Sequence, residues 1–175
     1  MTSSGARIAA VGSSANGLPT MVFDGTDVSL WAVSPAHAAT TKLGLWIWYK
    51  PATVVGLQMI YNVQNGVAGS ATRRLAIFQN GNTIQCTAYI DNFNGRSGAT
   101  PAVLSAGTWI ALYPQYDSSR GGDANIAIFA NGSAQVLNYT NDGAGGVLGA
   151  LQAASGSAVV GGATDSDTPA SPLAN

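Results

Sequence analysis

The sequence predicts an all-β protein, built as a two-sheet antiparallel β-sandwich. Short runs with a period of two recur along the chain. Leu75-Ala76-Ile77-Phe78 and Ile84-Gln85-Cys86-Thr87-Ala88-Tyr89-Ile90 are the clearest, and that period sends successive side chains to opposite faces of a strand. Turn dipeptides separate the runs: Asp24-Gly25, Asn65-Gly66, Asn80-Gly81, Asn94-Gly95 and Asn131-Gly132. Such pairs accept the positive φ that tight hairpins need. No stretch sustains the 3.6-residue period of an amphipathic helix, so the layers must be sheet on sheet.

Taken in order, residues 1–19 are small, polar and Gly-containing and read as an N-terminal arm. Thr20–Phe23 and Val28–Val33 are short strands. Ser34-Pro35 can cap one helical turn through Ala39. Lys42–Lys50 is the most apolar strand, with Leu43, Leu45, Ile47 and Tyr49 facing one way and Gly44, Trp46, Trp48 and Lys50 the other. A strand apolar on both faces is expected to be covered on both. Val54–Val63 precedes a hairpin over Arg73–Asp91, and Asn92–Pro101 reads as a polar loop. Gly107–Gln135 holds two strands around the loop Asp117–Asn125, then the Asn131-Gly132 turn and a further strand through Val136–Tyr139. Val147–Ala154 is a weak helix candidate because of Gly149. Ser157–Gly162 is the last strand. This divides the chain into the arm (1–19), the sandwich (20–162) and a polar C-terminal tail (163–175).

Composition excludes more functions than it suggests. Charged residues make up 9% of the chain and the net charge is −1, so there is no basic footprint for nucleic acid. Arg73-Arg74 is the one basic pair, and neighbouring strand residues point to opposite faces. The lone Cys86 permits no internal disulfide and reads as a buried, inert thiol. The first residues lack the apolar core of a signal peptide, and no run reaches the length of a membrane span. The expectation is a chain made in the cytoplasm, with no membrane partner. Its weakly charged surface suits packing against other protein.

The order of features resembles the concanavalin A-like lectin/glucanase jelly roll, in its laminin-G-like branch. The residues that carry the resemblance are Phe23-Asp24-Gly25, Leu45-Trp46-Ile47-Trp48 with Lys50-Pro51, and Leu75–Phe78 with Asn80-Gly81. Gly107-Thr108-Trp109 through Tyr116-Asp117, Ile128–Gly132 and Val159–Gly162 complete the set. The resemblance implies two stacked antiparallel sheets, with Trp109 in the core. It departs from the family at the end, where Asp165–Asn175 has only Leu173 to form a closing strand. That strand is absent, or is replaced by the N-terminal run Ala6–Val11, or comes from another chain, since an unpaired edge invites strand addition.

The chain contains no glutamate. Glycoside hydrolysis uses two carboxylates flanking the bond, and the glutamate pair that the family's glucanases resemble each other in using cannot form. His37 stands alone in a loop with no nucleophile elbow nearby, and a strand-borne Cys86 does not suit it as a partner. No cofactor is required. Calcium, which takes loop oxygens, is the one ion the residues admit, with Asp24, Asp27, Asp165 and Asp167 as candidates and Asp117 and Asp123 bracketing the central loop. Turn aspartates that bond their own backbone are the competing explanation. Sugar binding would use aromatic faces with amide partners, and Trp48, Tyr89 and Tyr116 are the candidate ligand-binding residues, with core packing as the favoured competing role for each. The main functional expectation is a non-enzymatic structural or interaction module. Its most concrete form is a bacteriophage virion protein, a capsid decoration or fibre component that binds protein partners through sheet edges and the arm. The alternative is a carbohydrate-binding, lectin-like module that takes a glycan with or without calcium.

Overall fold

The computed structural model describes residues 7–9, 20–22, 30–32, 39–65, 72–91, 94–142, 149–151, 153, 158–160, 164–165 and 168–169. In chain order the strands are β1 (Arg7–Ala9), β2 (Thr20–Val22), β3 (Leu30–Ala32), β4 (Lys42–Gly44), β5 (Ile47–Tyr49) and β6 (Leu57–Asn65). Then come β7 (Thr72–Asn80), β8 (Thr83–Tyr89), β9 (Gly95–Ala99), β10 (Ile110–Asp117) and β11 (Ile126–Ala130). The last are β12 (Ser133–Ala134), β13 (Asn138–Asp142), β14 (Ala158–Val160), β15 (Thr164–Asp165) and β16 (Thr168–Pro169). A short 3-10 helix, Gly122–Asn125, leads into β11.

Two antiparallel sheets stack face to face, as the alternating runs predict. The larger has seven strands in the order β13-β9-β8-β7-β6-β14-β3. The smaller runs β12-β11-β10-β4, and β5 pairs with β10 beyond β4. Each inner face supplies alternate residues to one core. Leu75, Ile77, Ile84, Cys86 and Ala88 come from the larger sheet, and Ile110, Leu112, Tyr116, Ile126 and Ile128 from the smaller. Burial of such side chains is worth roughly 1.5–3 kcal/mol each before entropy is charged against it.

Local turn chemistry sets the registers. Ala130 pairs with Ser133 across Asn131 (φ 49°) and Gly132 (φ 81°), the doubly positive pattern of a type I′ turn. In the other hairpin the paired residues are Asn80 and Thr83. The loop is therefore Gly81-Asn82, and only Gly81 (φ 60°) is left-handed. That places Gly at the first central position, a type II′ arrangement, one residue beyond the expected Asn80-Gly81 pair.

Several expectations need correction. Lys42–Lys50 is two strands, interrupted at Leu45–Trp46, where Leu45 N–H donates to the Pro114 carbonyl at 3.1 Å. Its faces alternate as predicted, but the outer one is uncovered: Trp46 is 63% and Trp48 51% exposed. An antiparallel sheet can leave one face to water. Trp109 is half-buried and lies outside the core cluster, with the Lys50 ammonium 5.9 Å from its ring. The presumed polar loop at 92–101 contains β9, which pairs with both β8 and β13. Its GRSGA sequence shows no hydrophobic alternation, because the inward Gly98 makes room instead. A Cβ there would come within 2.9 Å of Leu137 and 3.2 Å of Tyr139. The strand expected at 136–139 begins at Asn138 and joins the larger sheet. Residues 149–151 are not helical, and Leu151 is fully buried, bridged to Thr40. The helical turn proposed at 34–39 and His37 lie outside the described residues, apart from Ala39, which is not helical.

Both chain ends hold backbone pairs. Arg7–Ala9 runs antiparallel to Thr20–Val22, and Thr164–Asp165 to Thr168–Pro169. Arg7–Ala9 therefore lies beside the first strand.

One end of the sandwich is tied by a polar network. Tyr49 Oη donates to Gln79 Oε1 at 2.7 Å and lies 3.3 Å from Gln58 Oε1. Gln79 Nε2 donates to the Thr53 carbonyl at 2.9 Å. Gln79 is wholly buried, and burial pushes the Tyr49 phenol up to about 12. Tyr49→Phe leaves a buried acceptor without its donor. It should cost about 1–3 kcal/mol in urea unfolding with an unchanged m-value.

Candidate functional site

The outward face of the larger sheet carries a cleft of about 330 Å³. Cross-strand register assembles it. One row runs Asn62 (β6), Ala76 (β7), Thr87 (β8), Ser97 (β9), and the next runs Met59, Phe78, Gln85 on the first three of these strands. Tyr89, opposite Gly95, closes one end, and a Cβ on Gly95 would fall 2.5 Å from its ring. The glycine therefore leaves the space that the tyrosine ring occupies.

A bulge in β6 is what brings Met59 and Asn62 to the same face. The register shifts between Met59 and Tyr61, so residues three apart share a side where strict alternation would separate them. Asn62, Thr87 and Tyr89 are buried in the floor of the cleft, while Met59, Phe78, Gln85 and Ser97 are half-buried. Thr87 and Ser97 join hydroxyls at 2.6 Å. The described lining is thus two aromatic rings, amides, hydroxyls, a thioether and the aliphatic Leu75 and Ala76.

The ligand-binding residues named from sequence fall in three different places. Tyr89 lines this cleft. Trp48 sits on the outer face of the smaller sheet, where Trp46, Tyr113 and Phe129 form a row with ring centroids 5.8 and 6.1 Å apart. Tyr116 is not on a surface at all. It is 1% exposed, its hydroxyl donates to the Gly149 carbonyl, and burial raises its phenol. In β10 it faces inward with Leu112, so its ring is core and cannot stack on a ligand.

Of the aspartates proposed for calcium, Asp24, Asp27 and Asp167 lie outside the described residues. Asp165 pairs through its backbone with Thr168 in the β15–β16 hairpin. Asp117 can be judged directly. Its Oδ1 accepts from Ser119 N–H at 3.0 Å and Ser119 Oγ at 2.6 Å, and its Oδ2 lies 3.2 Å from Lys42 Nζ and 3.8 Å from Arg120 Nε. Those donors occupy the oxygens a calcium ion would need, so the carboxylate shapes its own turn. Among the described residues no group of three or more His, Cys, Asp or Glu side chains could hold a metal. Cys86 is fully buried, and burial pushes its thiol up to about 12, which removes it from nucleophilic chemistry.

Arg96 is the buried cation nearest this region, at 5% exposure. It pairs with Ala88 and so faces the interior, opposite to the cleft. Its Nε donates to Asn141 Oδ1 at 2.9 Å and its Nη1 to the Gly122 carbonyl, linking β9, β13 and the turn before β11.

Sequence reading recognised Gln85, Thr87 and Tyr89 as one face of β8, and Ala76 and Phe78 as one face of β7. Of these it named Tyr89 alone as a ligand contact. Met59 and Asn62 gave no signal, because the bulge that aligns them is set by the pairing partner.

No protein-family model matches the chain, and no curated protein matches it in sequence. Solved structures do match in fold. The CBM40 carbohydrate-binding module of a Ruminococcus gnavus IT-sialidase, with α2,3-sialyllactose bound, superposes with a TM-score of 0.56 at 17% identity over 78% of this chain and 72% of that one. The same module without that ligand gives 0.55 at 15%, over 84% and 87%. A leech intramolecular trans-sialidase gives 0.54 at 19% over 78% of this chain, and the match spans 20% of that enzyme. At these identities the likeness establishes the β-sandwich fold and leaves the laminin-G-like branch without added support.

Asp117 yields a pH prediction. Hydrogen bonds from Ser119, then Lys42, hold its carboxyl down at about 2 from an ordinary 3.8. A depressed carboxylate stabilises the fold above its unfolded value and loses that contribution as pH falls through the folded one. Stability should therefore fall between about pH 4 and pH 2, and Asp117→Asn should flatten that part of the urea-midpoint profile.

Proposed function

We propose that the chain is a non-catalytic, carbohydrate-binding, lectin-like module that binds glycan in the cleft on the larger sheet. The observation that carries the reading is the composition of the cleft. Two aromatic rings beside amides and hydroxyls suit a sugar, whose ring has apolar C–H faces and a rim of hydroxyls. The fold neighbours solved with sialyllactose lend support by analogy alone. The chain's lack of glutamate supports binding without hydrolysis.

A second reading, a protein-interaction module, is favoured by one feature. Trp46 and Trp48 stand exposed on the smaller sheet beside Tyr113 and Phe129. Exposed apolar patches of this kind mark association surfaces. The narrower form of that reading, a virion decoration or fibre protein, draws no support from the comparisons.

Two measurements separate these readings. On a broad glycan array the purified chain should bind a defined subset of sugars, and Tyr89→Ala should reduce that binding at least about tenfold while far-UV circular dichroism is unchanged. A flat array removes the lectin reading. In sedimentation velocity, a concentration-dependent dimer that disappears in a Trp46→Ser/Trp48→Ser double variant would support the interaction reading, and a strict monomer would remove its self-association form.

A further inference from the structure

We infer that the outer face of the smaller sheet holds a separate carbohydrate site, an aromatic platform for a single β-1,4-linked polysaccharide chain. It lies on the opposite side of the sandwich from the cleft and does not depend on what the cleft binds.

Register builds the platform. Tyr113 pairs with Phe129 across β10 and β11, and Trp46, in the break between β4 and β5, reaches Tyr113 from the other side. The rings form a row across the strands, with centroids 5.8 and 6.1 Å apart. Trp46 is 63% exposed, and Tyr113 and Phe129 are half-buried. Gly44 sets how the middle ring lies. A Cβ there would fall 2.7 Å from Tyr113 Oη and 3.0 Å from the nearest ring carbons. The tyrosine ring therefore lies down over the Gly44 backbone, one face against the sheet and the other outward.

Outward ring faces in a row suit pyranoses. The C–H face of a sugar packs on an aromatic face, and the step from ring to ring is close to the advance of one sugar along an extended chain. Equatorial β-1,4 links keep such a chain extended and leave both faces of each sugar open, whereas α-1,4 links curl it away from a straight row. Successive rings tilt by 42° and 39°, so the strip is twisted and fits one chain rather than the flat face of a crystalline fibre. The border of the row is polar. Gln115, paired with Gly44 and Ala127, sits one row along on the same face, and beyond it Lys42 meets Asp117 at 3.2 Å. Sugar hydroxyls both donate and accept, so they complement the amide and either sign of the ion pair.

The test is isothermal titration calorimetry on the full chain, in the wild type and in Tyr89→Ala. The probes are cellohexaose, xylohexaose, mannohexaose and chitohexaose, with cellobiose and maltohexaose for contrast. At least one β-1,4-linked hexasaccharide should bind both chains alike, and cellobiose and maltohexaose should bind at least about tenfold more weakly than it does. Trp46→Ala and Phe129→Ala should each weaken that ligand by about tenfold. Gly44→Ala keeps every ring but lifts Tyr113 off the sheet, and should weaken it by about threefold or more, with circular dichroism unchanged in all variants. Binding that is lost in Tyr89→Ala and kept in Trp46→Ala puts the ligand in the cleft, which overturns the inference while the cleft reading stands. Binding of no β-1,4-linked hexasaccharide overturns it as well. So does a dimer in sedimentation velocity that Trp46→Ser/Trp48→Ser removes, because a second copy then covers the row.

Discussion

Strand β10 is the constraint on which the rest of the structure depends. It pairs with β11 on one side and with β4 and β5 on the other. Ile110, Leu112 and Tyr116 point into the core, with Pro114 buried on the same side, and Tyr113 and Gln115 alternate onto the other face. A slip of one residue would send all three to the wrong face. The Asn131-Gly132 turn prevents it. Asn131 N–H donates to the Ala111 carbonyl at 2.8 Å, and Ala111 N–H donates back to Asn131 Oδ1 at 3.0 Å. A single turn residue thus clamps the strand at both of its backbone polar groups. The larger sheet can then pack on an inner face whose register is settled.

Once both inner faces are committed to the core, chemistry is left to the outer ones, and these differ. The smaller sheet presents exposed tryptophans and an ion pair between Lys42 and Asp117. The larger sheet presents a recess of neutral polar groups and aromatic rings. The β6 bulge and Gly95 shape that recess, one by rotating Asn62 outward and the other by yielding space to Tyr89. Both devices alter backbone or volume rather than adding a reactive group.

Charged residues make up 9% of this protein, and polar side chains tie both ends of the sandwich. The Tyr49–Gln58–Gln79 network joins the two sheets at one end, and Arg96, through Asn141 and the Gly122 carbonyl, joins strands to a turn at the other. Buried groups of this kind cost more when left unpaired than they contribute when paired, so they specify one arrangement of the core. Short strands stand at several of the sheet edges: β12 has two residues, and β3 and β4 have three each.

By itself, the sequence determined the sandwich, the alternating faces of β7 and β8, the buried Cys86 and the Asn131-Gly132 turn. Side-chain alternation and left-handed φ are properties of a few adjacent residues, so they can be read locally. Only the tertiary structure decided that Gly95–Ala99 is a strand, that Trp46 and Trp48 stay in water, and that Tyr116 is core. It also decided that Asn62, Ala76, Thr87 and Ser97 form one row. Each of these depends on what packs opposite a residue, and that partner lies many residues away in the chain. Burial and cross-strand register belong to the pairing of distant segments, which local pattern does not encode.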